Sequence, residues 1–247
     1  MRDSIPCLIP DWPAPAGVRA LVTTRRGGVS EPPYASLNLA AGTSDRREHV
    51  AENRRRLRLG LALPEEPRWL RQVHGAGVVA AEQVRRDVTE ADAVWTVRSD
   101  TVCAVLTADC LPIFLCDNDG CRVALIHAGW RGLAAGVIEA AYGALGVRGE
   151  RLMAWLGPAI GAHAFEVGDE VRTAFVAADP GLGGAFRATP HGLWLADLYC
   201  LARRRLGRCG VGRIYGGGFC TVTDSRRFFS YRRDGRTGRM ASLLWLT

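Results

Sequence analysis

The side chains best suited to chemistry are one Cys and two His that each lie at the end of a predicted strand. His74 follows the predicted strand at 68–73, Cys110 comes shortly after the apolar run at 101–107, and His127 ends the apolar run at 123–127. Apolar runs bounded by turn residues are typical of buried strands, and strand ends are where a scaffold presents functional side chains. Cys and His placed together either bind a metal ion or form a thiol nucleophile with a base. A buried Cys is also an ordinary core residue, so packing remains a third interpretation here.

The elements that must position these residues follow from the spacing of apolar side chains. The sequence predicts strands at 18–23, 68–73, 78–84, 101–107, 111–116, 123–127, 152–156, 213–215, 228–231 and 241–246. Helical spacing and capping residues predict helices at 45–59, 133–145, 165–177 and 193–206, and a loop rich in Gly and Pro is expected at 178–192. No linker or repeat divides the chain. We therefore expect a single α+β domain over residues 1–247.

Composition limits the class of protein. The hydrophobic fraction of 48% is sufficient for a sizeable core, but no apolar run approaches the ~20 residues of a membrane-spanning helix. The sequence at 1–17 has too many Pro and too short an apolar run for a secretory signal. Eight Cys in such a chain are expected to be free thiols. The sequence therefore predicts a cytoplasmic protein with no membrane partner.

Basic charge is concentrated in the last fifth of the chain. Residues 201–247 contain 11 Arg and only 2 acidic residues, and the chain has no Lys. Such a segment favours an anionic partner, either phosphate or nucleic acid. Part of the charge, at 203–205, is typical of a solvated helix end. A nucleic-acid-binding module would explain the charge but not the polar residues at strand ends, so we do not expect nucleic acid to be the partner.

Several sequence blocks together carry a resemblance to a known family. TADCLPIFL and HAGWRGL contain Cys110 and His127, and RQVHG contains His74; TTRRGGVS, YASLNLA, WLGPAIG and GRTGRMAS extend the match along nearly the whole chain. The sequence resembles the family first described as laccase-domain or polyphenol oxidase proteins and later as purine nucleoside phosphorylases with adenosine deaminase activity. The resemblance implies mixed β-sheets covered by helices on their outer faces.

The resemblance also implies a metal site and a reaction. It places zinc at His74, Cys110 and His127, and we expect Cys110, His127 and the adjacent Asp109 to be the catalytic residues. The reaction it implies is cleavage of adenosine- or inosine-type nucleosides by phosphate, with adenosine deaminase and methylthioadenosine phosphorylase as further activities. Three protein ligands leave the fourth zinc position open, which is typical of catalytic sites. Copper is a second candidate, although five His are too few for a multicopper oxidase.

Three Arg residues are candidates for binding the phosphate, because a guanidinium group matches phosphate oxygens. Arg25 and Arg26 lie in a turn containing two adjacent Gly, and Arg131 opens the helix that follows His127. An Arg at a helix start opposes the helix dipole and needs a reason. For Arg131 the reason is either phosphate or an ion pair with Asp109 or Asp92.

Other polar residues are candidates for the nucleoside. Asn38 and Gln72 could hydrogen-bond the sugar or the base. Asp109, adjacent to Cys110, could act as a general acid or base, or it could be a turn residue. The segment Gly42-Thr43-Ser44-Asp45 departs from the His-Val-Gly-Asp that is common in the family, so no His is expected to act in this loop.

A second class of enzyme needs no metal. Cys110 could be a thiolate nucleophile with His127 or His74 as its base, which is the arrangement of a cysteine hydrolase. The substrate would then be an amide, as in the editing of cell-wall precursors. The sequence leaves the oligomeric state and the preferred nucleoside open.

Overall fold

The structure is a computed structural model and describes residues 5–247. Its strands are β1 (Cys7–Leu8), β2 (Val18–Thr23), β3 (Val78–Ala80), β4 (Ala93–Thr96), β5 (Cys103–Thr107), β6 (Leu111–Asp117), β7 (Val123–Ala128), β8 (Leu152–Leu156), β9 (Glu166–Val167), β10 (Phe186–Ala188), β11 (Trp194–Ala196), β12 (Arg213–Gly216) and β13 (Met240–Leu246). Its α-helices are α1 (Arg47–Gly60), α2 (Trp130–Ala135), α3 (Val137–Leu145), α4 (Asp169–Val176), α5 (Leu198–Arg208) and α6 (Tyr231–Asp234). Short 3₁₀ turns lie at Ala81–Gln83, Gly149–Arg151 and Pro180–Ala185.

The strands form three sheets. A four-stranded sheet has the order β1-β2-β13-β5, a six-stranded sheet has the order β12-β8-β6-β7-β4-β3, and a small sheet has the order β10-β11-β9. Most neighbours are antiparallel, but β12 pairs with β8 and β3 pairs with β4 in parallel. The larger sheet is therefore mixed, as expected.

The two large sheets pack face to face. Along β6, Ile113 and Leu115 enter a core shared with α3, α4 and α5, while Phe114 and Cys116 enter a core shared with the four-stranded sheet. This alternation follows from the two-residue period of a strand, and it buries both faces of β6. A third core, which includes Leu57 of α1, covers the other face of the four-stranded sheet. Helices therefore lie on both outer faces, which confirms the predicted fold class.

Phe114 shows how strongly the central strand is held. Its ring is fully buried and meets the ring of Trp155 edge to face, with centroids 5.3 Å apart. Burying such a side chain contributes about 1.5–3 kcal/mol, and truncating it to Ala costs about 3–5 kcal/mol because a cavity remains. The edge of the sheet at which β6 begins is thus a rigid support for Cys110.

Two predicted strands are wrong. Residues 68–73 form only single bridges, between Arg68 and Cys103 and between Arg71 and Glu90. Residues 228–231 are not a strand, because Ser230 caps helix α6 by accepting a hydrogen bond from the amide of Arg233. The aromatic side chains at 228–229 fill the core between the two large sheets, and the backbone there does not pair as a strand.

Three predicted helices have different boundaries. The helix expected at 133–145 is two helices separated by Gly136, whose φ of +89° is a left-handed conformation. The helix expected at 193–206 begins only at Leu198, because Asp197 caps it and the preceding residues form β11. The helix expected at 165–177 begins at Asp169 because Glu166–Val167 pairs as β9. The loop expected at 178–192 contains a 3₁₀ turn and β10. Within residues 5–247, no helix combines the length and apolar character needed to cross a bilayer.

Candidate metal and active site

The fold brings His74, Cys110 and His127 together at one edge of the six-stranded sheet. β6 and β7 are antiparallel, so the start of β6 and the end of β7 lie side by side, and Leu111 is opposite Ala128. Cys110 precedes β6 and His127 lies near the end of β7, while His74 comes from the loop before β3. The Sγ atom of Cys110 lies 3.8 Å from Nε2 of His74, and the ligand atoms of all three residues lie within 4.8 Å of one another.

This donor set fits a metal ion. Two atoms bonded to one tetrahedral zinc ion at about 2.0–2.3 Å lie roughly 3.3–3.8 Å apart, which is close to the observed spacing. One thiolate and two imidazoles suit zinc and also copper. In the described part of the chain, this is the one group of three or more His, Cys, Asp or Glu residues placed to hold a metal ion. His74 is exposed and His127 is buried, so the site is open on one side.

Asp92 fixes the position of both His ligands. Its buried carboxylate accepts a hydrogen bond of 2.8 Å from Nδ1 of His127 and bonds of 2.9 and 2.7 Å from the amides of His74 and Gly75. The bond to Nδ1 leaves Nε2 of His127 as the atom available to a metal ion or to Cys110. The amide bonds hold the loop in which His74 has a φ of +59°. Burial would raise the pKa of Asp92, but these hydrogen bonds hold it below its ordinary value.

The charges at the site favour a thiolate. Burial would raise the pKa of the Cys110 thiol, but His127 and His74 beside it lower the pKa below that of an ordinary Cys. Burial would likewise lower the pKa of His127, but Cys110 and Asp92 raise it. A thiolate is the form of Cys that binds metal and the form that acts as a nucleophile. The electrostatics therefore support both kinds of chemistry.

Gly129 is required because the backbone at this position passes close to the side chains of Cys110 and His74. A Cβ atom at this position would lie 3.0 Å from Sγ of Cys110 and 3.0 Å from Cδ2 of His74. Its φ of −70° is open to any residue, so backbone freedom does not explain the glycine. The turn between β7 and α2 must pass directly beside two ligands, and only a residue without a side chain leaves them room.

The three ligands lie in a cavity of about 900 Å³. This volume falls within the usual range for small-molecule sites, which extends to about 1,000 Å³. Trp130, Phe165 and Leu198 give the wall apolar surface, and Arg232 and Arg239 give it positive charge. The cavity thus offers apolar surface for a flat ring system and cations for an anion.

Two of the predicted substrate residues line this cavity. The side-chain amide of Gln72 is occupied, because it donates to the carbonyl of Leu106 and accepts from its amide. The guanidinium of exposed Arg131 lies over the ring of Trp130, 4.3 Å from its centroid. Among residues 5–247, Arg131 makes no ion pair with Asp109 or Asp92. The prediction that an ion pair with one of these Asp residues explains this Arg is therefore wrong.

Arg25 and Arg26 are not among the residues that line the cavity. Arg25 donates to the carbonyls of Ala35 and Ser225, and Arg26 donates to the carbonyl of Arg226. Both side chains therefore tie together segments that are distant in sequence. As candidates for the phosphate they have less support than the Arg residues within the cavity wall.

Asn38 lies behind the cavity wall rather than in it. The side chain is fully buried, and every hydrogen-bonding group is used. Its Nδ2 donates to Thr43 and Asp45, while its Oδ1 accepts from the amides of Ala40 and Arg239. The structure thus gives Asn38 a positioning role for two segments that line the cavity. Asp45, which lies just before α1, accepts the bond from Nδ2 rather than capping the helix.

Asp109 is buried and lines the cavity beside Cys110. Its Oδ1 accepts a hydrogen bond of 2.5 Å from the hydroxyl of Thr221, and its Oδ2 accepts one of 2.6 Å from the amide of Arg232. The carboxylate therefore holds the start of helix α6 against the site. Both predicted alternatives, a catalytic group and a structural turn residue, are compatible with this position.

Sequence reasoning missed Asp92, Arg232 and Arg239 as functional residues. Asp92 was considered only as a partner for Arg131, and the hydrogen bond to His127 spans 35 residues. Arg239 belongs to the block GRTGRMAS, which contributes to the family resemblance. Nothing in that block indicates that Arg239 lies near Cys110, which is 129 residues earlier.

Fold and site together define an α+β protein with an open cavity beside one Cys and two His that are placed to hold a metal ion. The sequence model of the family described as multi-copper polyphenol oxidoreductase laccase matches residues 19–247. The chain belongs to this family, which confirms the resemblance found from the sequence blocks.

Known proteins are similar to this chain in sequence and in structure over nearly its whole length. A purine nucleoside phosphorylase of Pseudomonas aeruginosa is 58% identical over 240 residues, which is 97% of this chain and 98% of that protein. The purine nucleoside phosphorylase YfiH of Escherichia coli is 52% identical over the same shares. A solved structure from Neisseria meningitidis has a TM-score of 0.92 and 49% identity, covering 97% of this chain and 98% of its own.

Proposed function

We propose that the protein is a zinc-dependent purine nucleoside phosphorylase acting on adenosine- and inosine-type nucleosides. The observation that carries this proposal is the cluster of His74, Cys110 and His127 in a cavity of about 900 Å³. The similar proteins from P. aeruginosa and E. coli, which bear that name, support it.

Phosphorolysis forms a bond between a phosphate oxygen and C1′ and breaks the bond from C1′ to the purine nitrogen. The bonding electrons leave with the purine, which takes up a proton. Zinc held by His74, Cys110 and His127 would supply a Lewis acid at the cavity wall. Asp92 keeps His127 oriented, and Asp109 is our candidate for the group that moves the proton. Arg131 adds positive charge where phosphate approaches.

Two further reactions belong to this proposal. Methylthioadenosine shares the C1′ bond of adenosine and differs only at the 5′ position, so the same residues would cleave it. Deamination of adenosine replaces the amino group at C6 by water and releases ammonia, so it needs no phosphate. It therefore requires C6, rather than C1′, to lie beside the site.

Product analysis tests the proposed reaction. We expect inosine and adenosine to give free base and ribose 1-phosphate only when phosphate is present. Cys110→Ala should abolish the reaction, while Cys121→Ala, at an exposed turn, should leave it unchanged. Release of free ribose without any need for phosphate would contradict the proposal.

A second candidate function rests on a specific observation. Asp92 binds Nδ1 of His127, and the other side of that ring faces the Cys110 thiol, which is the order of groups in a Cys–His–Asp hydrolase. Such an enzyme would cleave an amide, as in cell-wall precursor editing. Its activity would survive a chelator and be lost when Cys110 is alkylated, whereas the phosphorylase would be lost on chelation.

Copper oxidation and nucleic-acid binding have less support. The chain has five His, and the part that the structure describes contains one three-ligand cluster, which is too little for a multicopper oxidase. Several Arg residues near the C-terminus already pair with acids, as Arg205 does with Glu139 and Arg208 with Asp179. The cytoplasmic location expected from the N-terminal sequence and the apolar runs stays a prediction.

A further inference from the structure

Arg239 is a cation without an acidic partner in the cavity wall. Its Nη1 donates to the carbonyls of Thr237 and Gly238, at 2.8 and 3.0 Å. Among residues 5–247 its Nε and Nη2 have no hydrogen-bond partner, and no carboxylate forms an ion pair with it. Buried Arg54, by contrast, is neutralised by Asp87 through two hydrogen bonds. A half-buried charge that lacks a partner and faces a cavity is suited to an anionic ligand.

The guanidinium lies within electrostatic range of the proposed reaction centre. Burial lowers the pKa of Arg239, and the negative groups of Cys110 and Asp109 act in the opposite direction. Arg239 lines the same cavity as the three proposed metal ligands. An anion held by the N–H groups of the free Nε and Nη2 atoms would therefore lie beside the proposed metal ligands.

Thr107 provides a second, independent observation. It lines the cavity, is 1% exposed, and its hydroxyl has no hydrogen-bond partner among the described residues. Thr107 lies opposite Met240 in the pairing of β5 with β13, so it is next to Arg239. A buried hydroxyl without a partner costs free energy, and a ligand oxygen would satisfy it.

The backbone holds Arg239 in place before any ligand arrives. Its amide donates to Oδ1 of buried Asn38, and β13 begins at the next residue, in the middle of the four-stranded sheet. Gly238 is fixed as well, because a Cβ atom there would lie 2.6 Å from the ring of Phe229. A cation held rigidly in advance loses little conformational freedom on binding.

We propose that Arg239 and the hydroxyl of Thr107 bind the phosphate that attacks the nucleoside, and that Asn38 is the positioning residue for Arg239. That the anion is phosphate rests on the proposed function. The inference moves the main phosphate contact from Arg25, Arg26 and Arg131 to a residue fixed at the start of β13.

The test uses the metal-loaded protein and inorganic phosphate. Binding of phosphate is measured by calorimetry without nucleoside, and KM values for phosphate and for inosine are measured separately. We expect Arg239→Met to weaken phosphate binding and raise its KM by roughly 10- to 100-fold, because charged hydrogen bonds are lost, with the KM for inosine within about twofold. Arg151→Met, at a surface ion pair with Asp119, is the matched control and should change neither value.

Thr107→Val is the second variant, because Val has nearly the same shape and removes only the unpartnered hydroxyl. We expect phosphate binding about fivefold weaker, with stability unchanged or increased. Ser242→Ala removes another buried, unpartnered hydroxyl that does not line the cavity, so it should gain stability in the same way without affecting phosphate.

Native phosphate affinity in folded Arg239→Met and Thr107→Val would overturn the inference, as would a wild-type protein that binds no phosphate. If Arg239→Met does not fold, the comparison of Thr107→Val with Ser242→Ala decides the question. Wild-type protein that binds phosphate through these residues but cleaves no nucleoside would leave the inference standing and remove the proposed function.

Discussion

Asp92 is the residue on which the geometry of two of the proposed metal ligands depends. It is completely buried and joins the loop of His74 to the ring of His127. Carboxylates that orient metal-binding His residues typically strengthen metal affinity 10- to 100-fold. The same carboxylate would orient His127 in a Cys–His–Asp hydrolase, so Asp92 serves either chemistry.

Replacing Asp92 by Asn should weaken metal binding by about 10- to 100-fold. The neutral side chain of Asn cannot form the charged hydrogen bond with which the Asp92 carboxylate fixes the tautomer of His127. Metal retained in competition with a chelator measures this. Asp117→Asn is the matched control, since Asp117 is a buried Asp that accepts two backbone amides outside the site. It should lose stability without losing metal affinity, and equal metal affinity in both variants would refute the role of Asp92.

Arg131 contributes charge from an exposed position, so its removal should have a modest effect. We expect Arg131→Ala to raise the KM for phosphate about fivefold, less than Arg239→Met, because exposed charges contribute about 1 kcal/mol or less. Lost stacking on Trp130 should lower stability by less than about 1 kcal/mol. Deamination, which needs no phosphate, should be spared, and a parallel loss of both activities in folded, metal-loaded protein would exclude Arg131 as a phosphate residue.

At the residue scale the sequence singled out the three residues that cluster, but not the groups that support them. His74, Cys110 and His127 could be found because each lies at the end of a predicted strand, which is a local signal. Asn38 was identified as a polar residue of interest, but its bond to the amide of Arg239 spans 201 residues. Contacts of that kind depend on how sheets pack, and no local pattern reports them.

At the scale of elements, the turn from β7 into α2 shapes the site. Gly129 passes between Cys110 and His74, and its position follows from the end of β7 beside the start of β6. A larger residue here must displace a ligand, since the contacts at 3.0 Å leave no free space.

Gly129→Ala should therefore lower metal affinity and nucleoside cleavage while the protein still folds. Gly143→Ala, within helix α3 where an added Cβ meets nothing within 4 Å, is the matched control. It should raise the free energy of unfolding by about 0.5–1 kcal/mol, since Ala is the better helix former, and leave the metal in place. Thermal unfolding and metal content measure both effects. Full metal affinity in Gly129→Ala would show that the turn can accommodate a Cβ atom without displacing Cys110 or His74.

Elements were predictable where the local pattern matched the final pairing. Strand β8 was predicted at its observed bounds, 152–156, because it is a continuous apolar run buried on both faces. The segment at 68–73 mixes three apolar residues with two Arg and a Gln, and it pairs at only two isolated positions. Pairing depends on which other strand lies alongside, and a mixed segment of this kind does not indicate its partner.

At the scale of the whole molecule, the last strand lies in the middle of the first sheet. β13 pairs with β2 on one side and β5 on the other, so residues from both ends of the chain share a core. The six-stranded sheet packs against that sheet through Phe114 and its neighbours. The single domain over 1–247 stays a prediction, for which these shared cores are the physical argument.

We expect unfolding in a single cooperative transition, because neither sheet buries its inner face without the other. Denaturant curves followed by tryptophan fluorescence and by far-ultraviolet circular dichroism should coincide. Removing metal should shift the midpoint but not split the curve. Two separated transitions would show independent units, and a division near residue 90 or 180 would contradict the single-domain prediction.

The central claim is that a metal ion held by His74, Cys110 and His127 is required for phosphate-dependent cleavage of purine nucleosides. The most direct measurement is activity as a function of metal occupancy. Purified protein should carry about one zinc per chain, lose inosine phosphorolysis in proportion to zinc removed by a chelator, and recover it when zinc is restored. Undiminished, phosphate-dependent cleavage by fully metal-free protein would contradict the claim, and amide hydrolysis that survives chelation would favour the Cys–His–Asp alternative.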